Sequence, residues 1–336
     1  MNLKEIARQA GVSTTTVSYV INGHHHKVSN ETIVRVQKVI EENNYKPNAT
    51  ARSLACKESK IIGVVVPPIR EGVRSFTTPR DAHMLALLEQ YVQEQGYLML
   101  MYRASRSLEA IQVLTSRNAD GIIFLGGGES EKTQQSIAVP TVYIDADKAG
   151  PDTINVRVDN YKGGYLAAKY LISQNHRDIA LVGPDVSSSN AIHERFQGFR
   201  NGCEQKGITI GEEDLFLSDD LYQSGVKVGQ QVASAKKTYT AVWAMSDIVA
   251  FGVMEGLRLC GISVPEDVSV MGFDNLPECI YAYPKLTTIS QHLPEKARRA
   301  GELIFRQIQG GPGNDREQCA LIDVELIERQ SVVCKA

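Results

Sequence analysis

The sequence predicts an all-α headpiece followed by an α/β core of two subdomains with parallel sheets. Three observations predict it. Helical periodicity alone runs through residues 1 to 60; from Ile61 short β-branched runs alternate with longer helical ones; and that alternation restarts after Asp159.

The headpiece reads as three short helices. Leu3, Ile6, Ala7 and Ala10 fall at helical spacing, with Asn2 and Glu5 placed as cap and third-position partner, and Gly11 stops the helix. A second helix spans Thr14 to Ile21 behind Ser13. A third runs from Asn30 to Asn44 behind Ser29, with Ile33, Val36 and Ile40 inward, until Lys46-Pro47 breaks the pattern. Pro47 to Ala55 forms a further short helix too small to fold unaided.

In the core, strands are expected at Ile61 to Val66, Tyr97 to Tyr102, Gly121 to Leu125, Thr141 to Asp145 and Val156 to Asp159. After a helix from Tyr161 they recur at Ile179 to Val182, Ala241 to Ala244 and Val268 to Phe273. A helix from Glu295 to Gln309 and strands near Ala320 to Val324 and Gln330 to Val333 tie the halves together. The boundaries that follow are 1–46 for the headpiece, 47–60 for a hinge helix and linker, and 61–336 for the core. Within the core, 61–159 pairs with 291–320 and 160–290 with 321–336.

Composition narrows the function classes. With 336 residues, 43% of them hydrophobic, the chain buries a sizeable core. No apolar run reaches the roughly 18 residues of a membrane span and no secretory leader opens the chain, so a cytoplasmic protein without a membrane partner is expected. Six scattered cysteines with no Cys-x-x-Cys pair argue against zinc and redox motifs. The net charge of -3 conceals nine Lys/Arg against five Asp/Glu in residues 1 to 60, a basic end on an acidic body.

Gly11 to Asn22, GVSTTTVSYVIN, separates two helices by a three-residue turn, the length that lets the second enter a major groove. Val17, Val20 and Ile21 form its apolar side. Thr14, Thr15, Ser18, Tyr19 and Asn22 form the other, all able to hydrogen-bond to bases and phosphates. An ordinary polar face in a small helical bundle reads the same way. His24, His25 and His26 follow; consecutive imidazoles diverge, so a solvated loop is expected rather than a metal site, and neither metal nor cofactor is expected anywhere.

The run LKEIARQAGVSTTTVSYVIN with YKPNATARSLA closely resembles the headpiece and hinge of the LacI/GalR family of bacterial repressors, its purine-repressor branch especially. The resemblance continues through VDNYKGGYLAAKYLI, RFQGF, ISVPEDVSVMGFDN, PKLTTISQ and LIERQSVV. It implies that Thr14, Thr15 and Tyr19 read the major groove, and that the hinge residues Ala51 and Leu54 contact DNA, Leu54 wedging into the minor groove. It further implies a homodimer on double-stranded, pseudo-palindromic operator DNA, a periplasmic-binding-protein-like core and a small-molecule effector in its crevice. Family members often carry Arg where Tyr19 stands.

The effector contacts implied are Asp145, Arg195, Asp247 and Asp274; Asp247 reads equally well as a helix cap. PDVSSSNAIHE, between Gly183 and Arg195, is longer than in the purine branch and lacks its nucleobase-facing arginine, which favours a sugar or sugar derivative. Arg70, Arg74 and Arg80 near the crevice would suit a phosphorylated ligand, or lie in solvent or at the dimer partner. Trp243 either fills the core or stacks on a sugar.

An enzyme is not expected: Gly126-Gly127-Gly128 leads into Glu-Ser-Glu rather than a phosphate loop, and no nucleophile elbow occurs. A solute-binding protein would have no use for residues 1 to 55. A protein corepressor is a further alternative. No leucine-heptad tail follows Ala320, so a dimer rather than a tetramer is expected. The overall expectation is a repressor of a carbohydrate uptake or catabolism operon.

Overall fold

The computed structural model describes residues 2–21, 23–45, 58–68, 78–126, 139–147, 153–310 and 319–335. Asn22, Ala51, Leu54, Arg70 and Arg74 lie outside them. The chain divides into two units, residues 1–60 and 61–336.

In the first unit, helices α1 (Leu3–Ala10), α2 (Thr14–Ile21) and α3 (Asn30–Glu42) enclose Ile6, Ala7, Ala10, Val17, Val20, Ile33 and Val36. The capping box is formed: Asn2 Oδ1 accepts from the Glu5 amide at 3.0 Å and Glu5 Oε2 from the Asn2 amide at 2.8 Å. Gly11 leaves α1 at φ 64°, a left-handed turn that glycine makes without steric cost. Ser13 Oγ accepts from the Thr16 amide at 3.0 Å, and Ser29 Oγ from Thr32 at 3.4 Å. The third helix stops short of the expected Asn44 because Asn43 Nδ2 turns back onto the Val39 carbonyl at 2.8 Å and Asn44 takes φ 45°.

The second unit is two lobes. In the first, strands β1 (Ile61–Val66), β2 (Leu98–Arg103), β3 (Gly121–Leu125), β4 (Thr141–Ile144), β5 (Ile154–Val158) and β11 (Cys319–Ile322) form an all-parallel sheet ordered β11-β5-β4-β3-β1-β2. Helices α4 (Pro79–Glu94), α5 (Ser107–Ser116) and α10 (Leu293–Ile308) belong to it. In the second, β6 (Ile179–Gly183), β7 (Leu215–Leu217), β8 (Ala241–Ala244), β9 (Ser269–Asp274), β10 (Thr287–Ser290) and β12 (Glu325–Ile327) are ordered β12-β10-β9-β8-β6-β7. Only β12 runs antiparallel there. Helices α6 (Asn160–Ser173), α7 (Asn190–Glu204), α8 (Tyr222–Ala233) and α9 (Asp247–Leu259) complete this lobe.

Two strands, β7 and β10, were not expected, and the last strand is β12 rather than Gln330–Val333. At the latter place a side chain supplants the ladder: Ser331 Oγ accepts from the Thr287 amide at 2.8 Å and donates to the Val270 carbonyl at 2.6 Å. Trp243 fills the core, stacked on Phe199 at 4.5 Å between ring centroids and fully buried, so it offers no face to a ligand.

The chain crosses between lobes at residues 158–160, 290–293 and 322–325. The Asp159 amide donates to the Ile322 carbonyl at 3.1 Å, and Lys162 Nζ reaches Asp323 at 2.6 Å, so two crossings are laced together.

Candidate functional site

On α2, Val17 and Val20 are buried against α1 and α3, which turns Thr14 and Thr15 out to solvent and leaves Ser18 and Tyr19 partly exposed. Thr14, Thr15, Ser18 and Tyr19 therefore form a surface of hydroxyls on a helix fixed by its opposite side. Past the helix, Gly23 takes φ 74° and donates to the Val20 carbonyl at 3.3 Å, while the His24 amide donates to the Tyr19 carbonyl at 2.9 Å. This helix-ending motif brings the two side chains together. The His24 ring meets Tyr19 edge to face at 6.1 Å, and Lys27 Nζ lies 5.0 Å from the Tyr19 ring centroid. Among the described residues no group of three or more His, Cys, Asp or Glu is placed to hold a metal ion.

Between the lobes of the second unit lies a cleft of about 770 Å³. The C-terminal ends of parallel strands open onto it, the usual place for a ligand in such sheets. Arg195 comes from α7. It is 4% exposed, donates from Nε to Asn160 Oδ1 at 2.9 Å and from Nη1 to the Met245 carbonyl at 2.7 Å, and stacks 3.6 Å above the Phe273 ring. Burial pushes its pKa down to about 10, with Asp274 opposing. What holds Arg195 there is a close helix crossing. A Cβ on Gly164 of α6 would sit 1.9 Å from the Arg195 carbonyl oxygen, and one on Gly198 equally near that of Tyr161, so both positions exclude a side chain.

Asp145 follows β4 at φ 54° and lines the cleft. Both its oxygens accept from Lys296 Nζ, at 3.0 and 2.8 Å. Burial alone would raise its pKa, but Lys296 and then Arg80 outweigh it and hold the carboxylate below its ordinary range. Lys296 is itself fully buried and donates to Gln291 Oε1 at 2.9 Å. Gln291 Nε2 in turn donates to Asp274. A continuous relay thus runs from Asp145 in the first lobe, through the 290–293 crossing, to Asp274 at the end of β9 in the second.

Asp274 stands beneath the cleft surface, 3% exposed. Its pKa is pushed up to about 7, by burial first and Asp247 second, against Arg80 and Arg195. Its φ is 137° and that of the adjoining Asn275 is 60°. Non-glycine residues in this region are strained and gather where function fixes them. Asp145, Asp274, Asn275 and His292 all do so around the cleft and its crossing strands.

Asp247 is corrected. It does not line the cleft but sits fully buried at the first turn of α9, accepting from the Leu276 amide at 2.8 Å, Cys279 Sγ at 3.0 Å and Thr288 Oγ1 at 2.5 Å. Both of its oxygens are engaged by this lobe's own framework. The helix-start alternative is nearer, although Ser246, not Asp247, is the cap residue.

Arg80, at the start of α4, does reach the cleft; it is bonded to Asp81 at 3.3 Å. Burial opposes its charge, but Asp81, Asp274, Asp145 and Asp220 together hold its pKa above the ordinary value. The sequence reading missed Lys296, Gln291, Asn160, Asp220 and Ser246. Lys296 carried a signal, since it falls on the apolar face of α10 with Leu293, Ala297, Ala300 and Ile304. The others carried none.

A helix-turn-helix headpiece in one chain with a two-lobed ligand-binding core defines a DNA-binding transcription regulator. Residues 2–48 match the description "Bacterial regulatory proteins, lacI family" and residues 168–332 "Periplasmic binding protein-like domain". The HTH-type transcriptional repressor PurR of Serratia proteamaculans (strain 568) is 34% identical, over 98% of this chain and 96% of that protein. The lac repressor dimer bound to operator and the anti-inducer ONPF superposes with a TM-score of 0.84 at 24% identity, covering 99% of both chains. A LacI family regulator from Enterococcus faecium with bound ribose gives 0.71 at 28% identity, over 82% of this chain and 100% of that one. The chain belongs to the LacI family: it is a DNA-binding transcriptional repressor with a ligand-binding core, and not an enzyme.

Proposed function

We propose that this repressor controls a carbohydrate uptake or catabolism operon, binding a pseudo-palindromic operator as a homodimer, with a sugar-class ligand in the cleft setting its affinity. The observation that carries the ligand class is the cleft lining. Hydroxyls, carboxylates and the fixed Arg195 guanidinium surround the space, and no aromatic ring lines it among the described residues. A nucleobase gains its affinity largely by stacking on such rings, whereas a polyhydroxylated ligand needs convergent donors and acceptors. Asp145 and Arg195 are its contacts in this reading, with Asp274 acting from beneath through Gln291. The E. faecium relative holds ribose, which agrees.

Thr14, Thr15, Ser18, Tyr19 and Asn22 are assigned to the major groove, and Ala51 and Leu54 to the minor groove. The dimer is supported by an apolar patch on the second lobe, where Tyr281 and Tyr283 are 78% and 97% exposed and line one groove with Phe251, Met254, Ile262 and Val264. Such contiguous patches mark association surfaces.

A binding titration tests the DNA assignment. Leu54→Ala is expected to lower affinity for selected operator DNA far more than for random duplex, because the second is mainly phosphate contact. Equal loss on both would remove the wedge.

A further inference from the structure

The cleft is not electrically neutral. Among its described lining residues, Arg80, Arg195 and Lys227 face six aspartates: Asp81, Asp145, Asp147, Asp185, Asp219 and Asp220.

Most of these charges are already engaged. Asp81 is paired with Arg80, Asp145 with Lys296, and Asp185 accepts from the Ser187 amide at 2.8 Å. Arg195 has Nε and Nη1 committed to Asn160 and Met245. Asp220 differs. It is half-buried just ahead of α8, near enough to Arg80, Arg195 and Asp274 to act on all three, and makes no hydrogen bond or ion pair among the described residues. A second observation points the same way. Ser246, only 8% exposed, lines the same cleft, and its buried hydroxyl has no hydrogen-bond partner among the described residues. A buried hydroxyl left unpaired is unfavourable, and a ligand bonding to it removes that penalty.

These two groups, with the acidic excess around them, accept hydrogen bonds and favour positive charge. An ammonium group brings three donors and no acceptor. A phosphate brings acceptors only, and its negative charge would meet the acidic excess of this lining. Resting on the reading of the cleft as a sugar-class site, we propose that its ligand is an aminated polyol, bound with its protonated amine toward Asp220 and Ser246, and that phosphorylated sugars are excluded.

Calorimetric titration of the full chain with matched trios tests this: D-glucose, D-glucosamine and D-glucose 6-phosphate, then the galactose and mannose counterparts. In at least one trio the amine should bind roughly tenfold or more tighter than the neutral sugar, about 1.4 kcal/mol, with the phosphate weakest. Raising the pH through the amine's own pKa should erase the preference, and Asp220→Asn should erase it at any pH. A phosphate that binds tightest, an amine no better than its neutral partner, an unchanged preference in Asp220→Asn, or no binding in any trio would each overturn the proposal. Selection of bound duplexes from a random DNA pool by the same preparation reports separately on the repressor. Sequence-specific binding there, beside failure of the amines, would leave the DNA-binding reading standing and remove only the ligand class.

Discussion

In the headpiece, Thr14 and Thr15 stand in solvent with their hydroxyls offered outward, while in the cleft Arg195, Lys296 and Asp274 are almost wholly buried and each is already bonded to protein. The difference follows from what each region meets. A DNA groove is itself hydrated and charged, so exposed groups exchange water for bases at little cost to the free protein. A small ligand enclosed between lobes has few contacts to offer, so its partners must be oriented beforehand, and burying charges requires that each be paired. Headpiece substitutions should therefore alter binding with little change in stability. Cleft substitutions should alter both.

The largest expected effect is at Lys296. Lys296→Met removes the ammonium that both Asp145 oxygens accept from, leaving a carboxylate only 22% exposed without its counter-charge. Breaking a buried pair from one side costs about 3–5 kcal/mol. Asp145 keeps some access to water, so the lower figure is expected, read as a shift of the urea midpoint. Adding Asp145→Leu should restore most of it, since apolar replacement of both partners is often neutral. A single variant as stable as the parent would show that the pair does not hold the cleft floor.

This pair also shows why the cleft was less legible in sequence than the headpiece. Each headpiece device is local: Asn2 with Glu5, Ser13 with Thr16, Gly11 ending its helix. Spacing within one or two turns reveals these. Asp145 and Lys296 are 151 residues apart, and Asp247 meets its partners 29, 32 and 41 residues on. Asp145 and Arg195 were found at the cleft by family resemblance, and Lys296, whose one signal is its odd place on an apolar face, was missed. Asp247 misled because a carboxylate at a strand-to-helix junction reads the same whether it faces a ligand or, as here, the Leu276 amide. The parallel core strands were visible as apolar runs, whereas β7 and β10 are three and four residues long and β10 carries two threonines and a serine.

A smaller effect separates two buried titratable groups in the second lobe. Asp274 has its pKa raised by burial to about 7, from about 3.9 when unfolded, so its contribution to stability is complete below the unfolded value and is lost as pH rises to 7. His176 has the opposite sign. It is fully buried, with Nε2 donating to the Val333 carbonyl at 3.1 Å, and burial lowers its pKa to about 4. Its contribution is present above about 6.5 and lost as pH falls through 4. In the parent the two slopes oppose each other between pH 4 and 7. Asp274→Asn keeps an oxygen for Gln291 and removes one slope, so stability should then climb with pH across that window. A denaturation series with the same pH profile in both proteins would show that Asp274 does not titrate there.

The smallest effect tests the headpiece half of the contrast. Tyr19 stands where family members often carry arginine, and the backbone ending of α2 sets His24 edge-on to its ring. Gly23 supplies the left-handed turn, so His24→Ala should leave the helix end and the melting temperature unchanged while freeing the tyrosine to rotate. An edge-to-face pair contributes about 0.5–1.5 kcal/mol. A few-fold loss in affinity for selected operator is therefore expected, with random duplex little affected and discrimination at the base pair under Tyr19 relaxed. His24→Phe retains the ring edge without the titratable nitrogens, and should restore discrimination. If His24→Phe behaves like His24→Ala, the histidine acts through its own charge or hydrogen bonds on the DNA, and Tyr19 is oriented by Lys27 or by the DNA itself.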